Sequence, residues 1–309
     1  MAHPPKNGPP DVGVVGLGHI GLPVALRLLA AGFRVAGNRR RQPPEAFLIA
    51  GGRGCATPAQ VADSCPVVLT VLASAQALVA VATGEHGLAS TSRRDGIWVE
   101  MSTVPPTVKR ELADALDQQG WRTLDCPIAG APEQLHAGDA VLLSSGEPDV
   151  NDRVGPILRA ISPRLSYLGA FGAGMSAKYT EHLMLACHSL VAAEALAFAG
   201  SAGLNLAQVH AALKNTIVSS GVFDQRAYRV FDPPDTPATG RLHSLADGLA
   251  QLHEFATELL TPTPVLDQAL GHLDPRYLDR IDELTVAFYR ELTAGPTAQN
   301  PDTIQTEQP

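Results

Sequence analysis

From residue 12 to residue 168, short apolar runs alternate with segments of helical periodicity. Continuous apolar runs such as residues 66–72 are typical of parallel strands that are buried on both faces. Residues 106–119 are typical of the intervening helices, and Gly120 ends this one. Strands that alternate with helices predict an α/β fold built on a doubly wound parallel sheet. The predicted strands are 11–15, 33–37, 66–72, 96–101, 122–125, 140–145 and 164–168, and the predicted helices are 22–31, 43–50, 75–82, 106–119 and 150–161.

The pattern changes near Gly172, after which the periodicity is helical and no strand is predicted. The sequence therefore predicts an α/β domain over residues 11–172 and an all-helical domain over residues 173–294. The polar, proline-containing segments 1–10 and 295–309 are expected to be disordered. In the second domain we predict helices over 175–201, 206–216, 242–260 and 275–293, and a loop that carries Asp224, Arg226 and Arg229.

A glycine-rich turn joins the first strand to the first helix. Residues 16–21 read Gly-Leu-Gly-His-Ile-Gly, the pattern of a dinucleotide-binding βαβ unit. Gly16 permits a tight turn, Gly18 lets a pyrophosphate approach the backbone, and Gly21 lets the helix pack closely on the sheet. A glycine turn that only packs tightly is the alternative. The predicted cofactor contacts here are Gly16, Leu17, Gly18, His19, Ile20 and Gly21.

The end of the second strand bears on the choice of cofactor. An NAD-selective site usually has Asp or Glu there, which accepts hydrogen bonds from the ribose hydroxyls. This chain has Asn38-Arg39-Arg40-Arg41 instead. A guanidinium can hold a 2′-phosphate through paired charge-assisted hydrogen bonds, so NADP is favoured over NAD. Asn38, Arg39 and Arg40 are the candidate contacts, and a solvated basic loop is the alternative.

Composition narrows the class of protein. The chain has 309 residues, a net charge of -8 and a pI of about 5.6, which gives no reason to expect a nucleic-acid partner. The four cysteines have no metal-ligand spacing, so no metal is predicted. Residues 1–10 lack the apolar core of a signal peptide. His188 and Glu194 interrupt the apolar stretch 183–200, which favours a buried helix over a membrane span, and the expected location is cytoplasmic.

Several ordered motifs resemble those of the β-hydroxyacid dehydrogenases, a family that includes 3-hydroxyisobutyrate dehydrogenase. The segments that carry the resemblance are 16–21, 38–39, 100–105, 125–130, 172–178 and 193–196. The resemblance implies a Rossmann domain followed by an all-α domain of the 6-phosphogluconate dehydrogenase type. It also implies hydride transfer between the nicotinamide and a hydroxyl or carbonyl group of a small molecule, with anionic substrates as candidates. Family members are often dimers or tetramers, so a homodimer or homotetramer is expected.

The resemblance further implies roles for single residues. Lys178 corresponds to the family's acid–base lysine, and an exposed lysine at a helix start is the alternative. The chemistry fits, because hydride transfer to a carbonyl produces an alkoxide that an ammonium can stabilise and protonate. Thr103 would contact the cofactor near the nicotinamide, with Leu72 and Ala73 beside the dinucleotide. The implied substrate-binding residues are Ser102, Ala129, Gly130, Ala131 and Asp247.

The chain departs from the family pattern at several of these positions. His182 stands where the family has Asn, one turn after the lysine, and we expect it to assist Lys178. Glu181 either faces Lys178, where it would stabilise the ammonium and oppose its use as a base, or faces solvent. Ala129 replaces a serine and Ala246 a lysine that contacts cofactor. Because of these changes, we expect a substrate other than 3-hydroxyisobutyrate.

Two other functions stay open at this point. Imine reductases use the same architecture without the lysine, so the presence of Lys178 argues against that activity. A dinucleotide-binding protein with little catalysis, acting as a redox sensor or an assembly partner, is compatible with the altered Asn, Ser and Lys positions. NADPH consumption across aldehydes, keto acids and imines, compared with the Lys178→Ala variant, separates the three.

Overall fold

The computed structural model describes residues 11–130, 132–231 and 241–272. Two compact units divide the chain, and the division falls inside a long helix between Glu181 and His182. The first unit contains the strands and the second is helical.

In the first unit, short strands alternate with helices as the apolar pattern predicts. The strands are β1 (Val12–Val15), β2 (Val35–Asn38), β3 (Arg53–Cys55), β4 (Val67–Thr70), β5 (Ile97–Glu100), β6 (Arg122–Asp125), β7 (Ile128–Ala129), β8 (Val141–Gly146) and β9 (Leu165–Tyr167). The helices are α1 (Gly21–Ala30), α2 (Glu45–Ile49), α3 (Pro58–Ser64), α4 (Ala75–Thr83), α5 (Pro106–Asp117), α6 (Pro132–Ala137) and α7 (Pro148–Ile161), with a single 3-10 turn at Leu88–Ser90. The long helix α8 (Ala173–Ser201) begins in this unit.

The strands form one sheet in the order β3-β2-β1-β4-β5-β6-β8-β7, with β9 paired to β8. Strands β1 to β6 are parallel, and the order reverses between β1 and β4, as in doubly wound folds. Strand β8 is antiparallel to β6 and β7, so the prediction of a wholly parallel sheet is wrong at this edge. The reason is that residues 126–140 hold a two-residue strand and a six-residue helix, too little for a parallel crossover helix.

Alternate residues of each central strand enter two different cores, one on each face of the sheet. In β5, Ile97 and Val99 join the core beneath α1 and α7, whereas Trp98 joins the core beneath α3, α4 and α5. Both faces are therefore covered by helices, which leaves the carboxyl ends of the strands as the edge where loops can form a site.

Helix α3 and strand β3 are absent from the sequence prediction. The helix has a readable start, since Thr57 accepts a hydrogen bond from the Gln60 amide at 3.2 Å and Pro58 occupies the first helical position. The strand has only three residues, and its first two are exposed, so no apolar run marks it.

The second unit contains the rest of α8 with α9 (Leu206–Leu213), α10 (Gly221–Phe231), α11 (Arg241–Glu258) and α12 (Pro264–His272). No strand lies between residues 182 and 231 or between 241 and 272, in agreement with the predicted all-helical domain. The prediction of a loop after Gly221 is wrong, because α10 spans that segment and His210 of α9 meets Asp224 at 2.8 Å. The helix predicted over residues 275–293 lies outside the described residues.

Helix α8 buries only part of its surface. Among the described helices it alone has the length and composition to cross a membrane, and 28% of its most apolar window is buried. The prediction of a buried helix therefore holds for one side only. Met184, Val191 and Phe198, spaced seven residues apart, are exposed to 53%, 66% and 75%.

Candidate active site

The glycine turn after β1 needs glycine at its first and third conserved positions. Gly16 has a φ of 102°, and a Cβ there would lie 2.1 Å from the Val71 carbonyl oxygen. A Cβ on Gly21 would lie 1.9 Å from the Gly16 carbonyl oxygen. Both contacts are with backbone atoms, which cannot move away by a side-chain rotation. The turn therefore requires glycine at these two positions.

Gly18 differs from the other two glycines, because a Cβ there would meet nothing within 4 Å. Helix α1 begins just beyond it, with no side-chain cap at Ile20 and no acidic residue in its first turn. The positive end of the helix dipole is therefore available to an anion. Leu17 is buried and His19 is exposed. Open space at Gly18 beside an uncapped helix start fits a dinucleotide pyrophosphate.

Asn38, at the end of β2, holds the turn in place. Its carbonyl oxygen accepts hydrogen bonds from the amides of Gly16 at 2.9 Å and Leu17 at 3.3 Å. Its buried side-chain amide donates to the Cys55 carbonyl at 3.0 Å, which ties β2 to β3. Arg39 and Arg40 follow on the surface, and within the described ranges neither forms an ion pair. Their guanidinium groups are open to an anionic ligand.

Two loops at the carboxyl ends of β4 and β5 are joined by one side chain. The Ser102 hydroxyl accepts a hydrogen bond from the Leu72 amide at 2.8 Å, and Ser102 is 2% exposed. The Ser102 amide in turn donates to Glu100 Oε1 at 2.8 Å. Thr103 is half-buried and Ala73 is exposed. The structure thus joins the loop of Leu72 and Ala73, predicted to lie beside the dinucleotide, to the loop of Thr103, predicted to lie near the nicotinamide, through the hydroxyl of Ser102.

Beneath these loops lies a cluster that sequence reasoning missed, formed by Glu100, Lys109 and Asp125 and called here the buried triad. All three side chains are fully buried. Lys109 Nζ lies 2.5 Å from Glu100 Oε2 and 2.7 Å from Asp125 Oδ1. A signal was present, because Lys109 lies on the buried face of α5 with Leu112 and Leu116. A lysine among apolar residues at helical spacing requires a buried partner.

Burial and the neighbouring charges act in opposite directions on the pKa values of Glu100 and Lys109. Burial raises the pKa of the Glu100 carboxyl, an effect that the nearby Lys109 ammonium only partly offsets. Burial lowers the pKa of Lys109, but the Asp125 and Glu100 carboxylates raise it by more, so its pKa lies above the ordinary value. The neighbouring Cys126 thiol also has a raised pKa because it is fully buried. A thiol in this state is a poor nucleophile.

Asp125 also holds the start of α8. Its Oδ2 atom accepts hydrogen bonds from the Met175 amide at 2.8 Å and from the Ser145 hydroxyl at 3.1 Å. The Ser145 hydroxyl itself accepts from the Gly174 amide at 2.8 Å. Two of the amides that a helix start leaves unpaired are therefore satisfied inside the first unit. These contacts attach the first turn of α8 to the ends of β6 and β8.

Lys178 lies on α8 directly after this anchored start. It is 6% exposed, and its ammonium donates to Glu181 Oε2 at 2.7 Å. Glu181 therefore faces Lys178, which decides between the two orientations left open by the sequence. The side chain of Glu181 is 39% exposed, so the ion pair has one buried and one partly solvated member. The alternative of an exposed lysine at a helix start does not hold.

His182 follows in the second unit and is 7% exposed. A Cβ on Gly248 of α11 would lie 2.7 Å from its Nδ1 atom, so the imidazole packs against helix backbone that has no side chain. Asp247 precedes Gly248 in α11, and its side chain falls outside what the structure describes.

The predicted substrate turn lies at the edge of the sheet. Ala129 belongs to β7 and pairs with Val141 of β8. Gly130 has a φ of 139°, in the region that favours glycine, and a Cβ there would approach Ala140 to 3.2 Å. Ala131 is not among the described residues.

Comparisons with known proteins cover both units. Residues 11–169 match the NAD-binding domain of 6-phosphogluconate dehydrogenase. Residues 172–274 match the model described as NAD-binding of NADP-dependent 3-hydroxyisobutyrate dehydrogenase. An L-threonate dehydrogenase from Cupriavidus necator is 32% identical over 229 residues, which are 74% of this chain and 77% of the relative.

Solved structures agree in fold. One described as Psf3 in complex with NADP+ and 2-OPP has a TM-score of 0.78 at 21% identity, covering 91% of this chain and 99% of that one. An imine reductase from Myxococcus stipitatus has a TM-score of 0.63 at 17% identity, covering 93% of this chain and 94% of that one. With both domain matches and the dehydrogenase relative, the chain belongs to the β-hydroxyacid dehydrogenase family of NAD(P)-dependent enzymes that act on hydroxyl groups.

Proposed function

We propose that the protein is an NADP-dependent oxidoreductase that transfers a hydride between the nicotinamide and a hydroxyl or carbonyl carbon, with Lys178 as acid–base group. One observation carries the proposal. The Lys178 ammonium is buried, paired with Glu181, and carried by a helix whose first amides are bound at the carboxyl end of β6. In doubly wound sheets this edge is where dinucleotides bind.

Lys178 is proposed to act as proton donor in the reductive direction, held in place by its hydrogen bond to Glu181. Reduced nicotinamide, with its dinucleotide held at the turn of residues 16–21, would supply the hydride and convert the substrate carbonyl to an alkoxide. Lys178 Nζ stabilises that charge and transfers its proton to the oxygen, which leaves the alcohol and a neutral amine. The hydrogen bond from Lys178 Nζ to Glu181 Oε2, at 2.7 Å, holds the proton-donating group in one position. His182 is proposed to assist by offering one hydrogen bond to the substrate.

The preference for NADP rests on the end of β2. Asn38 is neutral and donates its side-chain amide to Cys55, so no carboxylate is present there to repel a 2′-phosphate. Arg39 and Arg40 are exposed next to it and suit phosphate, since a guanidinium presents several donors in one plane. The family model that matches the second domain is described as NADP-dependent, which supports the same choice.

The substrate is proposed to be a small anionic molecule other than 3-hydroxyisobutyrate. Ala129 offers no hydroxyl, so the backbone amides of Gly130 and Ala131 are proposed to bind the anion, and Asp247 is proposed as a further substrate contact. Thr103 is proposed to contact the cofactor near the nicotinamide, and Leu72 and Ala73 are proposed to lie beside the dinucleotide. A turnover screen in which 3-hydroxyisobutyrate is the best substrate would overturn this choice.

The test is consumption of NADPH and NADH across aldehydes, keto acids and imines, with the Lys178→Ala variant beside the wild type. We expect turnover with NADPH, and a loss of about 10²- to 10⁴-fold in kcat for Lys178→Ala with unchanged NADPH affinity. Lys214→Ala, at an exposed lysine, is the matched control and should behave as wild type. Full activity of Lys178→Ala on any hydroxyl or carbonyl substrate contradicts the assignment.

The same panel decides between this proposal and its alternatives. Imine reduction that survives in Lys178→Ala would favour an imine reductase. The fold similarity to such an enzyme is the reason that imines are included in the panel. Tight NADPH binding with no turnover on any member of the panel would favour a sensor or assembly protein.

The assembly is proposed to be a homodimer or homotetramer. Met184, Val191 and Phe198 form an exposed apolar stripe along α8 with the seven-residue repeat that helix pairs use. Light scattering on the purified protein measures the mass directly. A monomer at micromolar concentration would contradict the proposal.

A further inference from the structure

The two carboxylates of the buried triad accept hydrogen bonds from two different parts of the candidate site. Through Glu100, the buried triad reaches the Ser102 amide, and the Ser102 hydroxyl holds the Leu72 amide. Through Asp125, it reaches the Met175 amide at the start of the helix that carries Lys178. Lys109 Nζ is the atom that joins the two carboxylates.

We propose that Lys109 is a positioning residue, which fixes the helix that carries Lys178 relative to the loops that hold the nicotinamide. The inference rests on the proposed function of Lys178. Lys109 itself touches neither substrate nor cofactor, since its side chain is fully buried in the first unit. Its effect is transmitted by its ion pair with Glu100 at 2.5 Å and its hydrogen bond to Asp125 at 2.7 Å. The two carboxylates in turn accept from the Ser102 and Met175 amides at 2.8 Å.

Stability alone is a weak reason for such a cluster. Removing three charged groups from water is costly, and well-packed apolar replacements of a buried ion pair are often neutral or stabilising. The geometry of charge-assisted hydrogen bonds, in contrast, is directional. Lys109 bonds two carboxylates on neighbouring parallel strands, whose Cα atoms are paired in the sheet register. The cluster therefore sets a distance and an angle between two loops that apolar contacts would leave variable.

The first test uses two adjacent serines of β8 that are equally buried. Ser145 contacts Asp125 and the Gly174 amide, whereas Ser144 contacts Asn151 Oδ1 at 2.8 Å and the Ser166 carbonyl. Ser145→Ala should lower kcat about tenfold, the usual effect of one hydrogen bond, and leave NADPH affinity unchanged. Ser144→Ala is the matched control, and its kcat should stay at the wild-type value even if its melting temperature falls equally.

The second test removes Lys109 while keeping the net charge of the cluster. Lys109→Met/Glu100→Gln leaves one buried carboxylate, Asp125, which still accepts from the Met175 amide. If Asp125 only caps α8, kcat should not change. If Lys109 positions the site, kcat should fall by about 10²-fold, the effect of a misplacement of about 1 Å, in a variant that still melts cooperatively and binds NADPH. Glu111→Gln, at an exposed position of α5, is the control.

Amide hydrogen exchange gives a readout that does not depend on turnover. The Ser145→Ala variant should exchange its Gly174 amide faster than wild type, whereas Ser144→Ala should not. Unchanged exchange in Ser145→Ala, or equal kcat values for the two serine variants, overturns the proposal, as does a folded Lys109→Met/Glu100→Gln variant with wild-type kcat. If wild type turns over no substrate, the proposed function fails by itself. The exchange comparison then still decides whether the start of α8 is anchored in this way.

Discussion

Two glycines of the turn after β1, Gly18 and Gly21, should respond differently to the same added methyl group. Gly21→Ala places a Cβ 1.9 Å from the Gly16 carbonyl oxygen, so either the turn or α1 must move. Gly18→Ala places its Cβ in open space, and Gly18 is not among the residues with positive φ. One variant should therefore damage the fold, and the other only the binding of the cofactor.

The magnitudes follow from these contacts. Overpacking against backbone costs about 1–3 kcal/mol, and each kcal/mol lowers the melting temperature of a chain of this size by about 2–4 °C. Gly21→Ala should therefore melt about 2–12 °C below wild type. The melting temperature of Gly18→Ala should equal or slightly exceed that of wild type, because alanine reduces the conformational entropy of the unfolded chain. NADPH at about 100 times its Kd stabilises wild type by about 2.7 kcal/mol, which corresponds to about 5–11 °C.

The assay is a thermal melt of wild type, Gly18→Ala and Gly21→Ala, each with and without NADPH. We expect Gly18→Ala to melt like wild type alone but to lose the shift that NADPH produces. A full NADPH shift in Gly18→Ala would refute the reasoning, because the pyrophosphate would then not approach this position. A Gly21→Ala variant with wild-type stability would show that the close contact with Gly16 is not real.

Three further predictions concern the cofactor, the thiols and the buried triad. Arg39→Ala should weaken NADPH binding about tenfold or more and leave NADH binding unchanged, because one charge-assisted hydrogen bond contributes about 1.5–3 kcal/mol. Equal weakening of NADPH and NADH binding contradicts this prediction. Burial raises the pKa of Cys65 to about 12 and also raises the pKa of Cys126, so Ellman's reagent near neutral pH should modify neither in the native protein, and modification of either refutes this. Because the pKa of Lys109 is raised in the folded protein, its ammonium stabilises the fold at pH values below its ordinary pKa of 10.5, and this contribution is lost as the pH rises through the folded-state pKa. Wild type should therefore lose more stability in alkali than Lys109→Met/Glu100→Gln. Equal losses of melting temperature in the two proteins contradict the prediction.

Local chemistry made much of the fold predictable. Strand β6 was predicted with its observed bounds, because a short segment between a helix-ending glycine and a proline has few other structures available. The turn at residues 16–21 was also predicted, because the spacing of its glycines follows from steric constraints within a few residues. The antiparallel direction of β8 was not readable, because it depends on how β7 and α6 fold between two strands. Helix α10 was missed for a similar reason, since its buried residues Phe223 and Ala227 pack on α8 and α9.

The candidate site divides in the same way. Lys178 was identified from a motif, but the orientation of Glu181 toward it was left open, because residues three apart on a helix can meet or turn to solvent. Asn38 was assigned to the cofactor, and the structure adds that its side-chain amide holds Cys55. Nothing near Lys109 in the sequence identifies its partners, although its place on an apolar helix face indicates that it needs them.

The sequence by itself determined the glycine turn, the apolar strands and the helical character of residues 173–231 and 241–272, because each depends on residues close together along the chain. Only the tertiary structure decided that Glu100, Lys109 and Asp125 meet in the interior and that Asp125 holds the start of α8. Those contacts join residues up to 50 positions apart. They exist because parallel strand register places Glu100 opposite Asp125, and because burial forces each charge to find a partner.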